Sequence, residues 1–376
     1  MTTPSLTAPS SPWIVGRGYD LLWFFGGAAL SLAILALYFT GVPIVWLWWA
    51  WLLGLDGPHI AAAFTRTYLD REEWRQRPRL LAASLFFAFA LGPATLLAGW
   101  ATGSRGPFQL YLLGASLYGI SHVVRQHYGF LALYKTKAGL KGTGWHLDKW
   151  ALYVGAWAPY FYLLLTHPRL RTVLRLPDPG AGSPGRFVQD GIALLFIALW
   201  LGALVLSFSR ARGALRGPAG TYLVLTIALY GVVYFAIGPL EPTYAASNGL
   251  DQDFLLLAAV LTAFHNVQYM GLVWHYNRTR YHRAGDHGWA QPLNATLARY
   301  AGACLIFSAV VYLGFACAAG VFPGCMILPG ARLGPFTASE IGLCLWWGLA
   351  IHHYYLDQRI WRVRQDPVLR ETLGLA

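Results

Sequence analysis

The sequence predicts an all-α protein, a polytopic membrane helix bundle of about ten transmembrane helices with both termini cytoplasmic. Three observations carry that prediction. Charged residues make up only 12% of the 376 residues, about half the share usual in a soluble domain. Stretches of the length that crosses a bilayer, about 20 apolar residues, recur along the whole chain. The basic residues behind the formal charge of +12 fall mostly between these stretches, where they act as topology determinants. The charge is therefore not read as a nucleic-acid footprint, and no nucleic-acid partner is expected.

In chain order, residues 1–16 begin with a run rich in Ser, Thr and Pro, lack a basic start and lead into a full-length apolar stretch. A disordered tail is expected there, not a cleaved signal peptide. Length and exclusion of charge then place spans at 20–40, 44–69, 80–101, 107–134, 150–166, 188–209, 218–238, 252–277, 300–320 and 337–361. The links after the even spans are basic: Arg71, Arg75, Arg77 and Arg79; Lys135, Lys137, Lys141 and Lys149; Arg210, Arg212 and Arg216; Arg278, Arg280 and Arg283; Arg359, Arg362 and Arg364. Such links belong in the cytoplasm. Links after the odd spans are short (Thr40 to Pro43), nearly neutral (Thr102 to Pro107) or acidic (Glu241, Asp251, Asp253). The link from His167 to Phe187 departs from this pattern with Arg169, Arg171, Arg175 and Arg186, and long links obey the rule less strictly.

The longest polar links are about twenty residues, too short for a core of their own. Residues 17–364 are therefore expected to form a single transmembrane domain and 365–376 a cytoplasmic tail. The protein is expected to be integral to a membrane, the inner one in a bacterium. Cys304, Cys317, Cys325 and Cys344 lie within or beside the last two spans without a C-x-x-C pair. They read as packing residues, neither a zinc ribbon nor a thioredoxin-type motif.

The chemistry is concentrated in the even spans. Span two carries Asp56-Gly-Pro-His59 and Arg66; span four Ser121-His122-Val-Val-Arg125-Gln126-His127-Tyr128; span eight His265-Asn266-Val-Gln268-Tyr269; span ten His352-His353-Tyr354-Tyr355-Leu-Asp357. With His275, these spans hold seven of the eleven histidines, whereas the interiors of the odd spans hold none. At about 1.5 Å per residue, His59, His127 and His352 lie roughly 10 to 12 Å before the next basic boundary residue and could share a layer. His122 and His265 lie roughly 20 Å before theirs, forming a deeper layer or joining the first if the helices are offset by two turns.

Residues three or four apart share a helical face, which pairs Asp56 with His59, His122 with Gln126, His265 with Gln268 and Tyr269, and His353 with Asp357. The Asp-x-x-His spacing is similar to the Glu-x-x-His element of metal-binding bundles. His122 and His127 do not face the same way, so only one of them is expected at any given site. Ionisable groups at membrane depth usually face a bundle interior or wet cavity and mark function; here they are Asp56, Arg125 and Asp357, with Arg66 nearer the boundary. Arg125 could neutralise Asp56 or Asp357, or present its bidentate fork to a carboxylate or phosphate headgroup.

These imidazole-bearing parts of spans two, four, eight and ten resemble the membrane-embedded histidine-cluster oxygenases of the desaturase and fatty-acid-hydroxylase type. The resemblance is compositional and does not extend to the H-x-x-x-H and H-x-x-H-H boxes of that group. It implies non-haem iron, two ions in the group, held by imidazoles near the cytosolic face beside a lipid tunnel.

The expected function is a metal-dependent oxidoreductase acting on an apolar or lipid-like substrate. The candidate metal ligands are His59, His122, His127, His265, His352 and His353. Asp56, Arg125 and Asp357 are the candidate catalytic groups, and Arg66, Arg125, Gln268 and Tyr269 the candidate substrate contacts. Imidazole suits iron, copper or zinc, and the carboxylates favour iron over copper. Without a flavin or nicotinamide fingerprint, electrons would come from a separate donor at the cytoplasmic face. Three alternatives use the same residues: a haem-binding electron-transfer protein, a proton- or ion-coupled transporter, and zinc-dependent hydrolysis or isomerisation of a lipid.

Overall fold

The computed structural model describes residues 11–140, 142, 144–167, 171, 179–237, 252–283, 285–320, 325 and 330–375. The first ten residues of the expected tail lie outside these, as do Lys141, Arg169, Arg175, Glu241 and Asp251 of the links. The protein is all-α, and among the described residues ten long helical segments fall on the ten expected stretches, their ends within six residues of expectation.

They are α1 (Arg17–Phe39, with a π turn at Leu21–Phe25), α2 (Ile44–Trp51 and Gly57–Arg66, joined by the π turn Leu52–Asp56), α3 (Pro78–Ala101), α4 (Gly106–Lys137) and α5 (Gly144–Thr166). Next come α6 (Pro184–Arg212), α7 (Pro218–Ile237), α8 (Gln252–Arg280), α9 (Leu297–Phe307 and Leu313–Ala319, joined by the π turn Ser308–Tyr312) and α10 (Ala338–Ile360). Among the described residues six of them, α1, α3, α6, α7, α8 and α9, contain stretches long and apolar enough to cross a membrane. Three of the other four, α2, α4 and α10, carry histidine clusters, whose polar residues dilute the apolar run.

Local chemistry sets several helix ends. A short antiparallel pair, β1 (Arg332–Leu333) and β2 (Phe336–Thr337), delivers the chain to α10. There Thr337 and Glu340 form a reciprocal capping box, satisfying donors that the first turn leaves open. Gly320 ends α9 in the left-handed conformation, φ 68°, which a residue without Cβ adopts freely. Cys317, in the last turn of α9, is disulfide-bonded to Cys325. The expectation that all four cysteines merely pack therefore holds only for Cys304 and Cys344, which are buried and free; a return of the chain after a helix end is invisible in cysteine spacing alone.

The chain divides into two compact units. Among the described residues, one contains those of 11–35, 124–237 and 252–261, and the other those of 36–123 and 262–375. In the first, α5 packs on α6 and α7. Gly155 lets Ile227 approach so closely that a Cβ would stand 2.7 Å from its side chain. Its polar interior is an ion-pair network: Lys135 pairs with the fully buried Asp148, whose other oxygen accepts from Arg210 Nε at 2.7 Å. In the second unit, α10 packs on α3 and α9, and α2 on α9. Gly92 meets Cys344 at a distance that admits no side chain. This unit contains the residues that carry the candidate site.

Candidate metal centre

The site begins with a disturbed helix. Pro58 has no N–H to give to the helical ladder, and the turn just before it, Leu52–Asp56, is π-helical, a form that often accompanies functional sites. At Gly57 a Cβ would lie 2.1 Å from Ser308 Oγ, so glycine is what allows this turn to meet the second π turn, on α9. Tyr312, the last residue of that turn, donates its hydroxyl to the Asp56 carboxylate, and Asn266 Nδ2 donates to the other oxygen at 3.2 Å. Asp56 thus ties α2 to α8 and α9 one turn before His59.

Four imidazoles converge beside this brace. His59 of α2, His122 of α4, His265 of α8 and His353 of α10 each offer a ring nitrogen, all within 4.8 Å of one another. All four residues are at most 3% exposed. Nε2 of His59 lies 3.0 Å from Nε2 of His265, and the His59 and His353 ring centres are 4.2 Å apart. A carboxylate closes one side: Asp357 Oδ2 is 3.5 Å from His353 Nε2 and 3.7 Å from His122 Nε2. Its Oδ1 accepts from the Tyr269 hydroxyl at 2.6 Å, and the Tyr269 ring packs edge-on against His59 and His353.

This donor set fits a metal ion. Nitrogens bound at about 2.1 Å to one ion stand roughly 3 to 4.2 Å apart, close to the spread observed. Both ring nitrogens of His353 are buried without a hydrogen bond among the described residues, a state that costs free energy unless something occupies them. The group could hold one metal ion; its arrangement does not specify which.

The alternatives left open on two helices separate here by rotation, at about 100° per residue. His127 stands five residues past His122, its ring turned about 140° away; it lies in the other unit, where Nδ1 is 2.9 Å from the Tyr222 hydroxyl. His352 precedes His353 and, fully buried, turns away from the group to Tyr68, with Nε2 2.7 Å from the hydroxyl. Arg125 belongs to the first unit and is exposed. Arg66 is fully buried between the rings of Tyr276 and Trp361, with Cζ 4.0 and 3.8 Å from their centres, and donates to the Ile360 carbonyl at 2.8 Å. Gln268 and Tyr269 are buried in α8.

Of the two layerings left open by the sequence, the one with helices offset by two turns is found, with His353 in the place of His352 and without His127. α2 ends at Arg66, seven residues past His59, and α10 at Ile360, seven past His353. α4 and α8 run fifteen residues past His122 and His265, to Lys137 and Arg280. At about 1.5 Å per residue the two pairs of helices overrun the site by roughly 10 and 22 Å, so basic residues at their ends do not mark equal depth.

A second trio, Asp70, Glu72 and His287, also brings ligand atoms within 4.8 Å. Arg280 already donates to both carboxylates, at 3.1 and 3.0 Å, so this group is an ion-pair network with its own cation. Sequence reasoning missed Tyr312, the hydroxyl that holds Asp56, and placed Tyr68 in the polar part of span two without its partner His352. A buried tyrosine hydroxyl seeks a partner, but nothing in a single sequence says which. Comparison with protein-family models, with curated proteins and with solved structures returned no match.

Proposed function

We propose that this chain is an integral-membrane, metal-dependent oxidoreductase acting on an apolar or lipid-like substrate, with its ion held by His59, His122, His265 and His353. The observation that carries the reading is the convergence of four buried imidazoles from four different helices on one point. Non-haem iron is the metal we propose, because Asp357 adds a hard oxygen donor to the imidazoles. When bound, such an ion supplies activation of dioxygen and oxidation of a C–H bond, with electrons from a separate donor at the cytoplasmic face.

The chain's own residues provide the remainder. As that donor Asp357 lies beside His122 and His353 and is itself held by the Tyr269 hydroxyl, the kind of outer group that orients a metal-binding side chain. Asp56 holds the turn that presents His59. Burial of all four histidines excludes bulk water from the reacting centre. The same crowding argues against haem: axial ligands must leave an open plane for the macrocycle, and four converging rings fill it. One ion, instead of the two implied by the resemblance, suits a single four-nitrogen group.

For the membrane arrangement, we propose that all ten helices cross, with both termini cytoplasmic. Each of the ten is at least 20 residues long, enough for about 30 Å of hydrocarbon. The Cys317–Cys325 disulfide follows an odd-numbered helix, on the side this topology makes external, where disulfides persist.

The test is elemental analysis with an optical spectrum on full-length protein in detergent, comparing wild type with His59→Ala and His353→Ala. Bound iron without a Soret band, lost in both variants, together with dioxygen consumption when a reductant and membrane lipid are supplied, is the expected result. Folded wild-type protein that takes up no metal when offered iron, copper and zinc overturns the metal site. Uptake of zinc alone overturns the oxidative chemistry.

A further inference from the structure

A second place in the same unit carries no part of the reading above. Where α10 ends and α3 begins, a pocket of about 330 Å³ is lined by Arg77, Leu80, Arg359, Arg362, Gln365 and Asp366. Three guanidinium groups therefore face one carboxylate. Arg77 donates to Asp366 at 3.2 Å, which uses that carboxylate. Among the described residues neither Arg359 nor Arg362 is paired with an acid: Arg359 lies over the Tyr355 ring, 5.2 Å from its centre, and Arg362 donates to the Gln358 carbonyl and the Gln365 side chain. Arg77 also stands 3.7 Å from Glu73, so with Glu73 counted two acids face three guanidinium groups and the pocket keeps an excess of about one positive charge, which the single negative charge of a phosphodiester neutralises.

We propose that this pocket binds a phosphoryl anion, the headgroup phosphate of an anionic membrane lipid. Planar guanidinium forks match phosphate oxygens two at a time, and the pocket volume accommodates a headgroup of that size. Its position favours a lipid over a soluble source. The pocket opens at the first residues of α3, one of the helices long and apolar enough to cross a membrane, so a phosphate held here leaves its acyl chains beside that helix. Arg359 follows His353 by six residues on continuous α10, about 9 Å along the axis. The pocket stands on its own chemistry and does not depend on any metal.

The test uses the full chain in detergent micelles and counts bound ligand by native mass spectrometry. The probes are phosphatidylglycerol, phosphatidylcholine and inorganic phosphate, with metal content recorded alongside. Phosphatidylglycerol is expected to bind at least about tenfold more tightly than phosphatidylcholine. That preference should fall about tenfold or more in Arg359→Gln combined with Arg362→Gln, partly return in the double lysine variant, and persist in Arg364→Gln, an exposed arginine outside the pocket. Metal content should be unchanged in all three variants, so loss of lipid with retained metal, or the reverse, separates this proposal from the metal reading. Inorganic phosphate that competes with the lipid at equal concentration supports the phosphoryl site and assigns it to a soluble ligand. No preference for the anionic lipid and no phosphate binding, or an equal loss in Arg364→Gln, overturns the proposal.

Discussion

His127 and His353 are both fully buried histidines on long helices, one in each compact unit, and their surroundings differ in kind. Around His127 stand tyrosines: the Tyr222 hydroxyl is 2.9 Å from Nδ1, and the Tyr230 ring packs against the imidazole. Around His353 stand three further imidazoles and a carboxylate, all presenting ligand atoms. The first is a single imidazole with one ring nitrogen hydrogen-bonded to a tyrosine and no second metal-ligating side chain grouped with it among the described residues. The second is a concentration of nitrogen and oxygen donors on one point, with both ring nitrogens of His353 buried without a hydrogen bond among the described residues. Burial of a histidine in a membrane helix is thus compatible with packing; what marks a site is convergence of donors from separate helices.

The sharpest way to break this comparison is on α4 itself, where the two kinds of histidine are five residues apart. His122→Gln should remove the metal, a loss of more than about 100-fold in affinity since a direct ligand outweighs the groups behind it. His127→Gln should leave metal content at the wild-type value. Elemental analysis of both variants, with circular dichroism to confirm folding, decides the point; equal retention in both would erase the distinction.

A second test exchanges the readouts. In the first unit Asp148 holds Lys135 and Arg210, and removing one partner of a buried ion pair costs about 3 kcal/mol or more. Asp148→Asn should therefore lower thermal stability markedly while the metal stoichiometry of the folded fraction stays the same. Within the site, Tyr269→Phe removes the donor to Asp357 Oδ1 and should weaken metal affinity about tenfold with little change in stability. Competition with a chelator measures this, and an unchanged affinity would mean that Asp357 is not oriented through Tyr269.

The smallest expected effect lies outside the membrane segments. Hydrogen bonding from Arg71, with Arg75 nearby, holds the exposed Asp286 carboxyl below its ordinary value of 3.8. A depressed carboxyl contributes stability that is fully present above its unfolded value and is lost as pH falls through the folded one. Melting curves from pH 5 down to pH 3 and below should show a shallow loss that Asp286→Asn reduces, and high salt should mask the difference.

Much of this was legible in the sequence, for identifiable reasons. The ten helical stretches follow from length and charge, which act along the chain and need no partner. His59, His122, His265 and His353 were all among the candidate ligands, since polar residues inside apolar stretches stand out. The choice between His122 and His127, and between His352 and His353, was not legible, because it depends on how each helix is rotated about its axis. The two-turn offset that brings His122 and His265 to His59 and His353 was one of two arrangements the sequence allowed, and charge alone could not choose it, because basic residues do not report how far a helix runs beyond a site. The brace from Tyr312 to Asp56 was hidden because α9 reads as plainly apolar, and only the meeting of two π turns at Gly57 and Ser308 brings that hydroxyl within reach.

The central claim is that four imidazoles from α2, α4, α8 and α10 surround one ion. X-ray absorption at the edge of whatever metal the full-length protein binds tests it most directly. The account predicts a nitrogen and oxygen shell at about 2.1 Å with outer-shell scattering from three or four imidazole rings, falling by one ring in His265→Ala. A shell with one imidazole or none, or one dominated by sulfur, would contradict it.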